Sequence, residues 1–200
     1  SGLGSIAGMQ LKELVGYIKS WNMSEASLGQ AAINAALNIP SVVSSMTSQL
    51  DDPQIDPETF NGFTQFNPEL RGKKVAVVGH FPGIEKLQDV CELSILERQP
   101  QPDDYPDPAC EYILPEQDYV FITGTAFINK TMPRLLELSK NAKIILIGPS
   151  VPISRVLFKY GVSCLASFVI SKQPSIWRAV QEGESLNIFK QGGRMVCIHS

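Results

Sequence analysis

The sequence predicts an α/β protein with a Rossmann-like, mostly parallel sheet, a C-terminal antiparallel hairpin and a preceding helical segment. From Lys73 onward, short β-branched runs alternate with helical stretches, which is typical of βαβ units with buried parallel strands. The 200 residues are 44% hydrophobic and 18% charged, a composition typical of a folded globular chain. We expect three parts: a helical segment (1–50), a linker (51–70) and a Rossmann-like domain (71–200).

The helical segment is predicted to contain two helices. Apolar residues recur at helical spacing from Leu11 to Ile18, and a second helix begins at a Ser24 cap and ends before Pro40. Its predicted buried stripe consists of Leu28, Ala31, Ala32, Ala35 and Ala36. Small residues on a buried face indicate close approach to another element. Residues 51–70 carry five acidic groups, three prolines and no basic residue, which favours a linker.

The predicted strands and helices of the larger domain follow in order. Strands are predicted over 74–79, 93–96, 118–123, 143–148 and 162–168, with helices over 133–140, 152–160 and 174–182. The hairpin is predicted from 186–190 and 194–198, joined through a turn at Gln191 to Gly193. Five prolines within 100–117 indicate a reduced crossover helix or a loop.

Charge and hydropathy restrict the partners. The 17 basic and 20 acidic residues include no basic cluster that would favour nucleic acid. No apolar run approaches the roughly 18 residues of a membrane span, so we expect a soluble, cytoplasmic protein without a membrane partner. The expected partner is a small-molecule ligand, a homodimer is left open, and no cofactor is assigned.

Four cysteines stand at positions 91, 110, 164 and 197, without a C-x-x-C pair. This spacing is weak evidence for a metal site, so no metal ligands are assigned. Free thiols packed as small hydrophobes are favoured over a zinc site or a disulfide. His199 is set aside because it lies one residue from the end of the sequence.

The loop after the first predicted strand carries Gly79, His80, Phe81 and Pro82. A dinucleotide fingerprint would need glycine where Phe81 stands, and Pro82 lacks an N–H, so ordinary NAD binding is disfavoured. His80 is a candidate acid, base or ligand, or alternatively a hydrogen-bonding cap of the turn. Glu97, after the second strand, is a candidate acceptor for a hydroxyl pair.

The loop after the third predicted strand is one residue away from a phosphate-binding loop. Asn129 stands where the second glycine of G-x-x-x-x-G-K-[ST] belongs, and asparagine tolerates positive φ. No strand ends in the Asp that would hold Mg²⁺, which disfavours an NTPase. The loop is interpreted as a polar, singly cationic rim, or alternatively as a turn capped by Thr131. The predicted rim residues are Thr123, Gly124, Thr125, Asn129 and Lys130.

Further candidates come from the fourth loop and from the helical segment. Gly148, Pro149 and Ser150 follow the fourth strand and precede a helix N-terminus suited to an anion. From the second helix, Glu25 and Asn34 are predicted to contact the ligand. The acidic residues of 103–107 are interpreted as a solvated face.

Several motifs together resemble a bacterial and archaeal family of unknown function described as "putative heavy-metal chelation". They are KSWN-x-x-EAS-x-G-x-AAINA (19–35), GKKVAVVGHFP (72–82), LSILE (93–97), DYP-x-P (104–108), ILPE-x-DYV (113–120), NKT-x-PRLLELS (129–139) and IGP-x-x-P (147–152). The resemblance implies an enolase N-terminal-like domain followed by a Rossmann-like domain that is partly similar to methyltransferases, with a cleft between them. It also implies that the strands of the first domain would precede Ser1.

The resemblance further implies condensation or hydrolysis of pterin-, flavin- or siderophore-like molecules, in a pathway linked to chelation through gene neighbourhoods. The expected function is therefore binding of a planar, polar molecule between helix 24–37 and the strand-end loops. His80, Lys130 and Glu25 are its predicted catalytic residues. Two alternatives are a non-catalytic module that binds a metal chelate and an adenosylmethionine-dependent methyltransferase.

Overall fold

A computed structural model describes residues 5–46, 63–184 and 191–200, and within them the chain forms a seven-stranded sheet. The strands are β1 (Lys74–Val78), β2 (Glu92–Glu97), β3 (Tyr105–Pro106), β4 (Tyr119–Thr123), β5 (Lys143–Ile147), β6 (Val162–Ile170) and β7 (Gly193–His199). Their order is β3-β2-β1-β4-β5-β6-β7, and each neighbouring pair is parallel except β6 and β7. The predicted fold class is confirmed. The predicted hairpin arm at 186–190 lies outside the described residues, and β7 pairs with β6.

Some of the helices precede the sheet and the others connect its strands. The α-helices are α1 (Leu11–Gly16), α2 (Met23–Leu37), α3 (Pro40–Met46), α4 (Asn67–Leu70), α5 (Cys110–Ile113), α6 (Thr125–Ile128), α7 (Met132–Leu138) and α8 (Gln173–Gln181). Turns of 3₁₀-helix cover Tyr17–Lys19, Thr64–Phe66, Ile84–Asp89, Asp107–Ala109, Leu114–Glu116 and Arg155–Tyr160. Within the described residues no helix is long and apolar enough to cross a bilayer.

The central strands are buried on both faces, which explains their nearly continuous apolar sequences. Ala76 and Val78 of β1 face one core, which is closed by α5, α6 and α7. Val75 and Val77 face the opposite core, closed by residues 63–70 and the 3₁₀ turns of 84–89. Side chains alternate across the sheet because successive Cβ atoms of a strand point to opposite faces.

Residues 63–70, which the sequence assigns to the linker, contribute to the second core. Phe63, Phe66 and Leu70 are buried there. The ring of Phe121 on β4 makes edge contacts with Phe63 and Phe66 at centroid distances of 5.1 and 5.3 Å. The segment therefore packs as part of the sheet domain, while 51–62 lie outside the described residues.

The helical segment approaches its neighbours closely, but through a different face from the predicted stripe. The residues of α2 that are buried are Ala26, Gly29, Gln30 and Ala32. Ala31, Ala35 and Ala36 are exposed, so the predicted stripe is wrong at these positions. A Cβ on Gly29 would lie 2.1 Å from the backbone nitrogen of Ile18. The close contact of Gly29 with the 3₁₀ turn determines which face of α2 is buried. The alanines do not determine it, because an alanine side chain is tolerated at a buried or an exposed position.

Three side-chain amides spaced four residues apart fix α2 to the sheet domain. They belong to Gln30, Asn34 and Asn38, and we call them the amide ladder. Their nitrogens donate to the carbonyls of Ser150 (2.9 Å), Pro149 (3.1 Å) and Val151 (2.9 Å), respectively. Asn38 is buried, accepts from the Ile153 N–H at 2.9 Å and also donates to Ser167 Oγ at 3.0 Å. The ladder thus satisfies loop carbonyls that no strand pairs.

The cysteines differ from the expectation. Cys164 on β6 and Cys197 on β7 form a disulfide, so the prediction of four free thiols is wrong for this pair. Antiparallel pairing brings the two residues together although 33 positions separate them in sequence. Cys91 and Cys110 are free and buried, and burial raises the pKa of Cys110 to about 12.

Candidate functional site

A cavity of about 250 Å³ opens at the carboxyl ends of β1, β2 and β4. The chain passes from β1 to β2 on one side and returns to β4 on the other, so this is the point where the strand order reverses. Ligands of open α/β sheets bind at such points. The lining residues are Val78, Gly79, His80, Phe81, Leu96, Glu97, Arg98, Asp107, Thr123, Thr125, Ala126, Asn129 and Thr131.

Gly79 and Phe81 shape one wall of the cavity. Gly79 has φ of +109°, and a Cβ there would lie 3.2 Å from Thr123 Cβ, so glycine lets the β1 and β4 ends come together. The Phe81 ring lies beside Gly79 and makes an edge contact with Phe63 at 5.4 Å. An aromatic wall therefore stands where a dinucleotide site would admit the pyrophosphate.

His80 lies at the cavity between two carboxylates. Its Nδ1 is 2.9 Å from Asp104, whose side chain is only 2% exposed, and its Nε2 is 3.2 Å from the exposed Glu85. Burial is the largest single influence on the pKa of His80 and lowers it. The hydrogen bonds and charges of Asp104 and Glu85 together outweigh burial and raise the pKa above its ordinary value. Asp104 therefore orients the ring, and the two carboxylates stabilise its charged form relative to that of an isolated histidine.

Glu97 connects the ends of β1 and β2 at the cavity floor. Its Oε2 accepts the His80 backbone N–H at 2.9 Å, and its Oε1 accepts that of Arg98 at 2.7 Å. An ionised carboxylate offers about four lone-pair sites, so Glu97 retains capacity for a ligand hydroxyl. Arg98 also pairs with Asp107 at 3.5 Å, which places a cation and an anion on one wall.

The opposite wall is neutral and polar. The Thr123 and Thr125 hydroxyls lie 3.1 Å apart and bond to each other. Asn129 Oδ1 accepts from the Thr131 N–H at 3.1 Å and from its hydroxyl at 2.6 Å, which fixes the orientation of the Asn129 amide. Asn129 Nδ2 has no hydrogen-bond partner within 5–46, 63–184 and 191–200, so two donors are free for a ligand.

Lys130 does not line this cavity. Its Nζ donates to the Ile18 carbonyl at 2.5 Å, which ties the β4 loop to the helical segment. The left-handed residue of the loop is Lys130 with φ of +70°, whereas Asn129 has φ of −84°. The positive φ of this loop therefore falls one residue after the position where the second glycine of a phosphate-binding loop would stand.

The remaining predicted site residues are not among those that line the cavity. Glu25 accepts from Ser20 Oγ at 2.6 Å in the first turn of α2, away from the cavity. Asn34 and the 148–150 loop are joined by the amide ladder. Pro82 is exposed outside the lining. Gly124 contacts the 148–150 loop, since a Cβ there would lie 2.5 Å from Ser150 C. Where α2 meets the strand-end loops, it contacts the 149–151 carbonyls directly, and no residue of α2 lines the cavity.

Sequence reasoning missed Arg98, Asp104, Asp107 and Thr131 as site residues. Asp104 and Asp107 were interpreted as a solvated face because prolines interrupt every regular cation-loop spacing around them. A usable signal was present, since both belong to the DYP-x-P motif, which follows the strand that ends in Glu97.

The chain matches the models of a known protein family. A family model described as "putative heavy-metal chelation" matches residues 61–199, and a second model with the same description matches 1–37. The chain belongs to this family. The first match spans the whole sheet domain, including the cavity, and begins close to Phe63.

Solved structures of family members share the fold. A protein of unknown function from Desulfitobacterium hafniense is 43% identical, with a TM-score of 0.82 over 95% of this chain and 74% of that chain. Another from Pyrococcus horikoshii is 24% identical, with a TM-score of 0.78 over 100% and 79%, a likeness of fold alone. An uncharacterized protein of Methanocaldococcus jannaschii is 32% identical in an alignment of 178 positions that covers 78% of this chain. This chain spans 59% of that relative's length.

Proposed function

We propose that the chain binds a small, planar, polar molecule in the cavity at the ends of β1, β2 and β4, and that His80 donates a proton to it. The observation that carries the proposal is the hydrogen bond of the His80 ring to the buried Asp104, at the edge of this cavity. The proposed reaction class is condensation or hydrolysis, because both require a proton on a leaving oxygen or nitrogen.

The size of the cavity favours a compact ligand. Pockets for drug-sized molecules measure about 300 to 1,000 Å³, and this one measures about 250 Å³. A pterin-sized bicyclic ring is therefore favoured over a flavin or an entire siderophore. The Phe81 ring supplies an apolar wall for such a molecule, and the amide and hydroxyl groups of Asn129 and Thr123 supply edge contacts.

The proton route follows from the two faces of the His80 ring. Asp104 holds Nδ1–H, so the proton that can leave is on Nε2, which faces the exposed Glu85. A ligand that displaces the Glu85 carboxylate would receive this proton, while Asp104 keeps the ring in place. Lys130 and Glu25 have no part in this proposal because their polar atoms bond to Ile18 and Ser20.

The first alternative is a module that binds a metal chelate. It would use the same cavity but would not convert the bound molecule. The methyltransferase alternative loses support, because the Phe81 ring stands at the glycine position and the cavity is small for adenosylmethionine.

Calorimetry with three probes tests the proposal: neopterin, riboflavin and a catechol carboxylate. We expect neopterin to bind, and Thr123→Val to weaken it about three- to tenfold through one lost hydrogen bond. Asp104→Asn should lower turnover of a bound pterin derivative, whereas Asp103→Asn, an exposed neighbour, should not. Binding without turnover by mass spectrometry would support the chelate module. If none of the probes binds, or if Thr123→Val has no effect, the cavity is not the ligand site.

A further inference from the structure

A second cluster of reactive side chains lies at the opposite edge of the sheet, independent of the cavity. Cys164, Cys197 and His199 present their sulfur and imidazole nitrogen atoms within 4.8 Å of one another. Cys197 and His199 lie two residues apart on β7 and so share a face, and Cys164 on β6 is the direct partner of His199.

We propose that these three residues, once the disulfide is reduced, form a site for one thiophilic divalent ion such as Zn²⁺ or Cd²⁺. Two thiolates and one imidazole are the soft and borderline ligands that these ions prefer. The site goes beyond the proposed small-molecule function, since no residue of the cavity takes part in it.

The spacing of the ligand atoms fits a tetrahedral ion. Zn–S bonds of about 2.3 Å and Zn–N bonds of about 2.05 Å place the two ligand atoms about 3.6 Å apart. The distance between Cys197 Sγ and His199 Nε2 is 3.6 Å. The Cα atoms of Cys164 and Cys197 are 6.6 Å apart, near the upper end of the range that a disulfide spans, so rotation of the side chains can separate the sulfurs without moving the strands.

The surroundings suit a site that is buried on one side and open on the other. Cys164 is fully buried, Cys197 is partly buried and His199 is exposed, which leaves a fourth position to solvent.

The redox step balances with a dithiol as the reductant. The dithiol gives two electrons and two protons to the Cys164–Cys197 bond and becomes a cyclic disulfide itself. Both cysteines are then thiols, and binding of the ion releases their two protons as they become thiolates. The oxidised form lacks both thiolates, so it is expected to hold no ion at this place.

The test titrates the whole chain with Cd²⁺, after reduction with a dithiol and its removal under anaerobic conditions. We expect one equivalent per chain, seen by thiolate-to-metal charge-transfer absorption, with about two protons released, and no binding before reduction. Cys197→Ser should abolish the absorption band, and His199→Ala, at an exposed position at the end of β7, should weaken binding at least tenfold. Cys110→Ala, a buried free thiol in the core on the opposite face of the sheet, is the matched control and should change neither.

The proposal is overturned if the reduced chain binds no Cd²⁺, or if binding persists unchanged in both Cys197→Ser and His199→Ala. Circular dichroism of each variant shows whether a lost site reflects lost folding, and His199→Ala provides a test even where Cys197→Ser does not fold. Because the cavity residues are unaltered, neopterin binding reports separately on the proposed function.

Discussion

Two loops at the same edge of the sheet differ in accessibility, because one borders a cavity and the other is covered by a helix. The β4 loop leaves a polar cavity against the β1 end, whereas the β5 loop at 148–151 is covered by α2 and its amide ladder. Both loops follow buried parallel strands and begin with a glycine. The carboxyl edge of the sheet therefore indicates only which group of loops can bind a ligand. Contact with a neighbouring helix determines which of these loops remains accessible.

The largest expected effect is at the contact between the two loops. Gly124→Ala would place a methyl 2.5 Å from Ser150 C and Val151 N. Because backbone atoms on both sides are held by the sheet and by the ladder, we expect the free energy of unfolding to fall by about 3 kcal/mol. Urea denaturation measures it. Gly16→Ala is the control, since it has open space and a helical conformation, and should be neutral or stabilising by up to about 1 kcal/mol. Equal values for the two variants would contradict the close contact.

A smaller loss of stability is expected when the amide ladder is disrupted, and its size should differ between Asn38 and Asn34. Asn38→Ala should lower the free energy of unfolding by about 2 to 3 kcal/mol, because it leaves the buried Ile153 N–H without its acceptor, while the Val151 carbonyl keeps the Ser167 hydroxyl. Asn34→Ala should cost less than about 1 kcal/mol, because its bond to the Pro149 carbonyl is exposed and water can replace it. Thermal unfolding of both variants compares them, and a greater loss in Asn34→Ala would show that the outer rung carries the attachment.

The smallest effect concerns the open side and depends on pH. The pKa of folded His80 is raised, so its stabilising contribution is complete below the ordinary histidine pKa of about 6.5 and is lost as the pH rises through the folded value. Asp104→Asn should lower that pKa and flatten the pH dependence of stability across this window. NMR titration of the histidine ring measures the shift.

Asp103→Asn is the control for that titration, because its side chain is exposed and is not among the groups that shift His80. An unchanged His80 titration in Asp104→Asn would show that the buried carboxylate does not orient the ring. A change of the same size in both variants would assign the effect to net charge.

Much of the sheet and part of the site follow from local pattern. The apolar runs of β1, β4 and β5 locate the strands to within a residue or two, because a strand buried on both faces has little choice of composition. The runs of β1, β2 and β4 also place His80, Glu97 and Thr123 at one edge. Local pattern did not reveal Asp104 as the partner of His80, since the two are 24 residues apart and meet only through strand order.

The sequence by itself determined the fold class and the edge of the sheet on which polar loops converge, because periodicity and turn chemistry are local properties of the chain, and the resemblance of several motifs indicated the family. Only the tertiary structure decided which loop is open, which carboxylate holds His80, and that Cys164, Cys197 and His199 meet across β6 and β7. The physical reason is that each of these depends on the pairing of distant segments, and spacing along the chain carries no measure of distance across a sheet.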